Sequence, residues 1–135
     1  IVSMEWAEYL EQSSQVDRDG AVLLGWTGDN GDPDNFLAVL LGCDAVGGAN
    51  RAQWCNEEFD ALVQEAKTVS DQAERTALYA RMAGIVAAYA PWELGAYTYE
   101  NTLVRPWVRG YVKHVSWEHP WKYHDLDVEA QRSAK

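Results

Sequence analysis

The sequence predicts an α/β fold with an incomplete sheet, and three observations support that. Residues 21–26, AVLLGW, form a short and almost wholly apolar run, as in a strand buried on both faces. Three later stretches place apolar residues at helical spacing and open on residues that cap helices. Two further runs, 92–99 and 103–112, read as strands, the second interrupted by Pro106. One buried run and two late strands are fewer than a stable sheet usually has, so the late strands are expected to dock against something outside these residues.

In chain order, Ser3 can cap a helix running to about Gln15, with Trp6, Tyr9 and Leu10 near one face. The polar turn QVDRDG, 15–20, breaks it ahead of the apolar run. A glycine-rich acidic loop, 28–32, follows directly. Asp32-Pro33 then opens a helix, an N-cap acid before a first-turn proline, which carries Phe36, Leu37, Leu40 and Leu41 and stops at Gly42. Residues 43–55 enclose Gly47-Gly48 and read as an irregular loop. Asn56 caps the next helix, with Phe59, Leu62, Val63 and Ala66 on one face. Ser70-Asp71 starts a longer one whose stripe is Ala77, Leu78, Met82, Ile85, Val86 and Tyr89, ended by Ala90-Pro91. The tail 114–127 is dense in aromatic and polar residues, and the last eight, VEAQRSAK, are expected to fray.

The chain has 135 residues, the size of one domain, and 47% of them are hydrophobic, enough to bury a core. Its net charge of −10, from 21 acids against 11 bases, argues against nucleic acid and against an anionic membrane surface. The same balance mildly favours cationic or amine-bearing ligands. No apolar run reaches the length of a membrane span. The opening Ile1-Val2-Ser3 is neither an initiator methionine nor a signal peptide, so a processed start or a piece of something longer is expected. Seven Trp and seven Tyr against two Phe suit pockets and interfaces as well as cores. Cys43 and Cys55, close together around a turn-rich loop, suit a local disulfide in an exported protein, with a cytosolic thiol pair the alternative.

The densest chemistry lies at residues 29–34, DNGDPD. A calcium loop of EF-hand type fails, because the twelfth position is Leu40 counted from Asp29 and Cys43 counted from Asp32. A phosphate cradle fails too, since these acids repel anions and no GxxxxGK signature is present. Asp32 reads as a helix cap, and Asp34 lies in the first turn, where an acid complements the helix dipole. Asp29 has no such duty. It leaves the C-terminal end of the apolar run, where open α/β sheets place ligand crevices. There it could pair with a ligand ammonium group or merely cap backbone amides; the residue pattern leaves both open. His114, His119 and His124 recur at spacings of five, which favours tail packing or solvent exposure over zinc. No Ser or Cys sits in a nucleophile motif, and no metal, cofactor or enzyme activity is predicted.

The segment GWTGDNGDPDNF, 25–36, with Cys43, the run NRAQWCN at 50–56 and FDAL at 59–62, resembles the family 5 solute-binding proteins that feed ABC importers, most closely their dipeptide-binding branch. Glu5-Trp6 with Tyr9-Leu10 upstream, and DQAERTALY (71–79), APW (90–92) and GYV (110–112) downstream, extend the resemblance to about Val112. It implies the C-terminal part of a two-lobed periplasmic-binding-protein-like fold of type II. Residues 1–99 would belong to the large ligand-binding lobe, and 100–135 would return to the other lobe. It implies that Asp29 pairs with a peptide's α-ammonium group, that Trp26 and Trp6 line side-chain pockets beside Thr27 and Gly28, and that Cys43 and Cys55 are bonded. The implied partners are a peptide or related small ligand, an ABC permease in the membrane, and an N-terminal portion holding the residue that grips the peptide carboxylate. The implied location is periplasmic or otherwise extracytoplasmic. The rival expectation is a structural or interaction fragment that holds a partner chain with its aromatic surface.

Overall fold

A computed structural model describes residues 1–113 and 120–134. The chain divides into two compact units, Ile1–Leu94 and Gly95–Lys135. The first contains helices α1 (Trp6–Ser14), α2 (Asp34–Leu41), α3 (Glu57–Thr68) and α4 (Gln72–Tyr89).

Local chemistry accounts for α3 and α4. The Asn56 side chain accepts the Phe59 N–H at 2.9 Å and starts α3, with Glu57, Glu58 and Asp60 in its first turn and Lys67 in its last. Asp71 caps α4 by accepting the Glu74 N–H at 2.8 Å. That helix ends at Ala90, whose left-handed φ of 45° turns the chain into Pro91. Phe59, Leu62, Val63 and Ala66 are buried, as their spacing of i, i+3, i+4 and i+7 predicts. They pack against Leu78, Tyr79 and Met82 of α4 and Leu41 of α2, and together these eight residues are the core. Trp54 closes one side, its ring edge-on to Phe59 at 5.2 Å. Complete burial of Phe59 alone stabilises the unit by roughly 2–3 kcal/mol.

Several expectations are corrected. Residues 21–26 form no strand, and Leu23 is 89% exposed. A strand buried on both faces needs a neighbour at each edge, and none of the described residues pairs with this run. The Tyr9 hydroxyl holds it instead, donating to the Leu23 carbonyl at 2.8 Å and accepting the Leu23 N–H at 2.9 Å. Residues 92–99 are likewise not a strand. Helix α1 begins at Trp6, preceded by Glu5 without a side-chain cap, so Ser3 does not start it. On α4 it is Tyr79, not Ala77, that turns inward, because a residue two places along a helix lies about 200° round its axis.

In the second unit only two residues of the predicted run 103–112 are paired. β1 (Val108–Arg109) runs antiparallel to β2 (Asp125–Leu126), with Val108 opposite Leu126. Gly110 follows at φ 72°, and a Cβ there would lie 2.8 Å from the Tyr123 carbonyl oxygen, so only glycine fits. Most of the last eight residues, expected to fray, are helical instead. Asp127 accepts the Ala130 N–H at 3.0 Å and starts helix α5 (Val128–Ser133), and it also pairs with Arg109. His124 lies with its ring 5.4 Å from that of Tyr111, whereas His114 and His119 lie outside the described residues. The architecture is a partial α/β fold: helices and one two-stranded sheet among the described residues.

Candidate functional site

The acid-rich loop is tied to the helical core at one end. Asp32 accepts the Asp34 N–H at 3.0 Å and the Tyr79 hydroxyl at 2.9 Å on one oxygen, and pairs with Arg75 through the other. It thus caps α2, as expected, and also anchors it to α4. Arg75 in turn donates from Nε to the Ala66 carbonyl of α3 at 3.1 Å, and its guanidinium lies 5.2 Å from the Tyr79 ring centre. Partial burial raises the Asp32 pKa. The hydrogen bonds from Asp34, Arg75 and Tyr79 outweigh it, leaving the carboxyl below its ordinary value. Burial, reinforced by Asp32, pushes the Tyr79 phenol up to about 12.

The other end of the loop is organised by Asn35, in the first turn of α2. It is 6% exposed. Its Oδ1 accepts the Trp26 indole N–H at 2.9 Å and the Asp29 backbone N–H at 3.0 Å, while its Nδ2 donates to the Asp29 carboxylate at 3.0 Å. One buried amide therefore fixes a ring, a backbone amide and a carboxylate. Gly28 lets the loop pass close to α2, since a Cβ there would lie 3.0 Å from the Phe36 ring and 3.1 Å from the Asn30 carbonyl oxygen.

Asn35 was not among the residues singled out by the sequence. The available signal was a polar side chain directly before the apolar stripe of α2, at a position where only a partnered amide is tolerated inside.

The remaining predicted residues group unevenly. Asp29 is exposed and makes no ion pair among the described residues, in contrast to Asp32. Trp26 is 45% exposed even with its N–H bonded, so its ring face is open. Thr27 is exposed between them. Trp6, 63% exposed, stacks on Tyr9 at 5.8 Å, and Tyr9 grips Leu23, three residues before Trp26. Trp26, Gly28 and Asp29 thus share one framework around Asn35, and Trp6 is joined to that stretch through Tyr9.

The cysteine loop steadies α1. Cys43 and Cys55 form a disulfide. Within the loop, Arg51 donates to the Leu10 carbonyl at 3.0 Å, and Gln53 donates to those of Ser14 and Gln15 at 3.1 and 3.3 Å. Those of Ser14 and Gln15 are among the carbonyls a helix leaves unpaired at its C-terminal end. Arg18 adds bonds to the Ser13, Gly20 and Arg51 carbonyls. Asn50, wholly buried, donates to the Gly42 and Trp54 carbonyls and braces the loop from inside.

No group of three or more metal-ligating side chains comes together among the described residues, and no helix there is long and apolar enough to cross a membrane. The arrangement offers an exposed carboxylate of fixed orientation beside an open indole face. Such a pair can take a cationic donor at one end and hydrocarbon at the other.

No protein-family model matches the chain. It is 50% identical over 91 residues to a dipeptide-binding protein of Pseudomonas aeruginosa, an alignment covering 67% of this chain and 17% of that protein. Among solved structures it is similar to the periplasmic binding protein DppA of Helicobacter pylori in complex with the peptide STSA, at 34% identity and a TM-score of 0.58, covering 65% of this chain and 18% of the other. HbpA2 of Haemophilus parasuis matches 93% of this chain and 25% of its own length at 25% identity, with a TM-score of 0.68. The chain spans about a fifth of the length of the curated relatives it matches.

Proposed function

We propose, from the premise that the chain belongs to the family 5 extracellular solute-binding proteins of ABC transporters, that it supplies the C-terminal part of a periplasmic peptide receptor. In this reading residues 1–99 form part of the large ligand-binding lobe, and 100–135 return to the other lobe. An N-terminal portion completes the clamshell, and an ABC permease receives the peptide. The relatives named for dipeptides and the neighbour bound to STSA support a peptide as ligand.

The observation that carries the proposal is the state of Asp29. Its carboxylate is exposed and unpaired by any cation among the described residues, yet an amide from a buried residue fixes one of its oxygens. Asp29 receives the peptide's α-ammonium group, and Trp26 and Trp6 line side-chain pockets near Thr27 and Gly28. The ion pair strengthens when the lobes close over it. Two unit charges 4 Å apart attract by about 1 kcal/mol in water and about 4 kcal/mol near a protein surface. A ligand touching both lobes thereby favours the closed state.

The test is Asp29→Asn in the receptor that carries this segment, titrated with a dipeptide and its N-acetylated form. The substitution should weaken the free-amine peptide at least tenfold more than the acetylated one. Equal losses would sink the role given to Asp29. Tyr97, Tyr99 and Leu103, exposed by 98%, 97% and 98%, favour a second reading, a surface that holds a partner chain and binds no small ligand. Under that reading neither peptide binds before or after the substitution.

A further inference from the structure

Peptide recognition by an acid requires that acid to point at one place. Asp29 lies in a loop between Gly28 and the Asn30-Gly31 pair, a composition that does not hold a side chain still. A freely rotating carboxylate would have to be ordered by each ligand at an entropic cost. Three hydrogen bonds remove that freedom, and all converge on one amide. Asn35 accepts at Oδ1 from the Trp26 indole (2.9 Å) and the Asp29 N–H (3.0 Å), and donates at Nδ2 to Asp29 Oδ2 (3.0 Å).

From this geometry we infer that Asn35 is a positioning residue for ligand selection: it locks the Asp29 carboxylate and the Trp26 ring into one fixed relation. The inference rests on the amine-anchor reading of Asp29. Three features single out asparagine for the job. Both an acceptor and a donor are needed, which excludes an ionised Asp and Leu, and a single Ser oxygen cannot present the acceptor and the donor at two separate atoms as the amide does. The amide must be short, because it reaches back from the first turn of α2 to the loop just before it. It must also be held, and at 6% exposure the amide is buried with all three bonds made. The far end of the loop is separately pinned by Asp32 to Arg75 and Tyr79, so losing Asn35 frees the recognition end without releasing α2 from the core.

The experiment compares dissociation constants for a dipeptide and its N-acetylated form across the unsubstituted receptor, Asp29→Asn, Asn35→Ala and the double variant. Asn35→Ala should reduce the preference for the free amine about tenfold or more, the worth of one hydrogen bond to a charged group. In the Asp29→Asn background it should change that preference less than twofold, because the two residues act through one contact. If Asp29→Asn leaves the preference unchanged, the parent reading fails. If Asp29→Asn abolishes it and a folded Asn35→Ala retains it, only the positioning role fails. A loss equal for both ligands also overturns the positioning role, since it marks a merely structural residue. Asn35→Ser, which keeps a small polar group at the buried position, replaces the alanine variant should that not fold. Independently of any variant, the Trp26 indole N–H and the Asp29 amide must exchange slowly with solvent in the unliganded receptor. Rapid exchange at either overturns the inference.

Discussion

Replacing Cys43 and Cys55 with serine should cost the chain about 3 kcal/mol and release α1 before anything else. The first figure follows from loop closure. With a sequence separation of 12, the chain-entropy account assigns the cross-link roughly 2.8 kcal/mol at room temperature. The second consequence follows from how α1 is held. At nine residues it is shorter than the ~12–15 at which isolated helices become even marginal in water, and its only buried residue is Ser13. Its grip comes from polar contacts instead: Arg51 and Gln53 make three hydrogen bonds to the Leu10, Ser14 and Gln15 carbonyls from inside the disulfide loop. At about 1 kcal/mol each, those bonds are comparable to the cross-link itself. Urea unfolding followed by circular dichroism measures the global loss, and hydrogen exchange over residues 6–14 and 57–68 measures the local one. Protection in α1 should collapse while α3, closed by its own cap and core, keeps its rank. A global loss below about 1 kcal/mol, or unchanged protection in α1, would refute the reasoning.

Two other outcomes are expected. Phe59→Ala removes the largest wholly buried side chain from the α2–α3–α4 core and should destabilise by about 3–5 kcal/mol in a denaturant titration; a loss under 1 kcal/mol would mean the site is not packed as described. Stability should also fall at both ends of the pH scale. The Asp32 carboxyl is lowered from its ordinary 3.8, so its contribution is complete above that value and is lost as pH falls through the lower folded value. The Tyr79 phenol is raised to about 12, so its contribution is complete below 10 and is lost as pH rises toward 12. Arg75→Met should flatten the acid limb of the measured stability profile, and an unchanged acid limb would count against the Asp32 pair.

Where local chemistry decides, the sequence was readable. The Asn56 and Asp71 caps, the α3 face of Phe59, Leu62, Val63 and Ala66, the stop at Gly42 and the turn at Ala90-Pro91 all depend on residues within a few places of one another. Strands depend on partners that can lie anywhere in a chain, so an apolar run such as AVLLGW shows that it is apolar and not what lies beside it. The short β1–β2 ladder escaped for the same reason: Val108 and Leu126 pair at a separation of 18 positions, which no periodicity reports. For the site, the predicted residues were legible one at a time. What escaped was the hub, because Asn35 matters through side-chain bonds to Trp26 and Asp29, nine and six positions back. Its spacing matches neither helical nor strand periodicity.

The first turn of α2 explains how one short loop carries several acids without their duties colliding. Asp32 spends its charge on Arg75 and its remaining oxygen on Tyr79 and the Asp34 amide, so it is committed to the fold. Asp29 spends only hydrogen-bonding capacity, on a neutral amide, and keeps its charge. The division has a physical basis. An arginine beside Asp29 would offset the field that draws a ligand ammonium, whereas an asparagine orients the carboxylate and leaves its charge intact. Rigidity at Asp29 then comes from α2, whose own position is set by the core through Leu41 and by Arg75 through Asp32. Core stability and ligand preference are consequently separable at Asn35 and coupled at Asp32. A substitution at Asp32 should disturb both together, since it removes the cap that places Asn35, while one at Asn35 changes what the loop selects with the helix still in place.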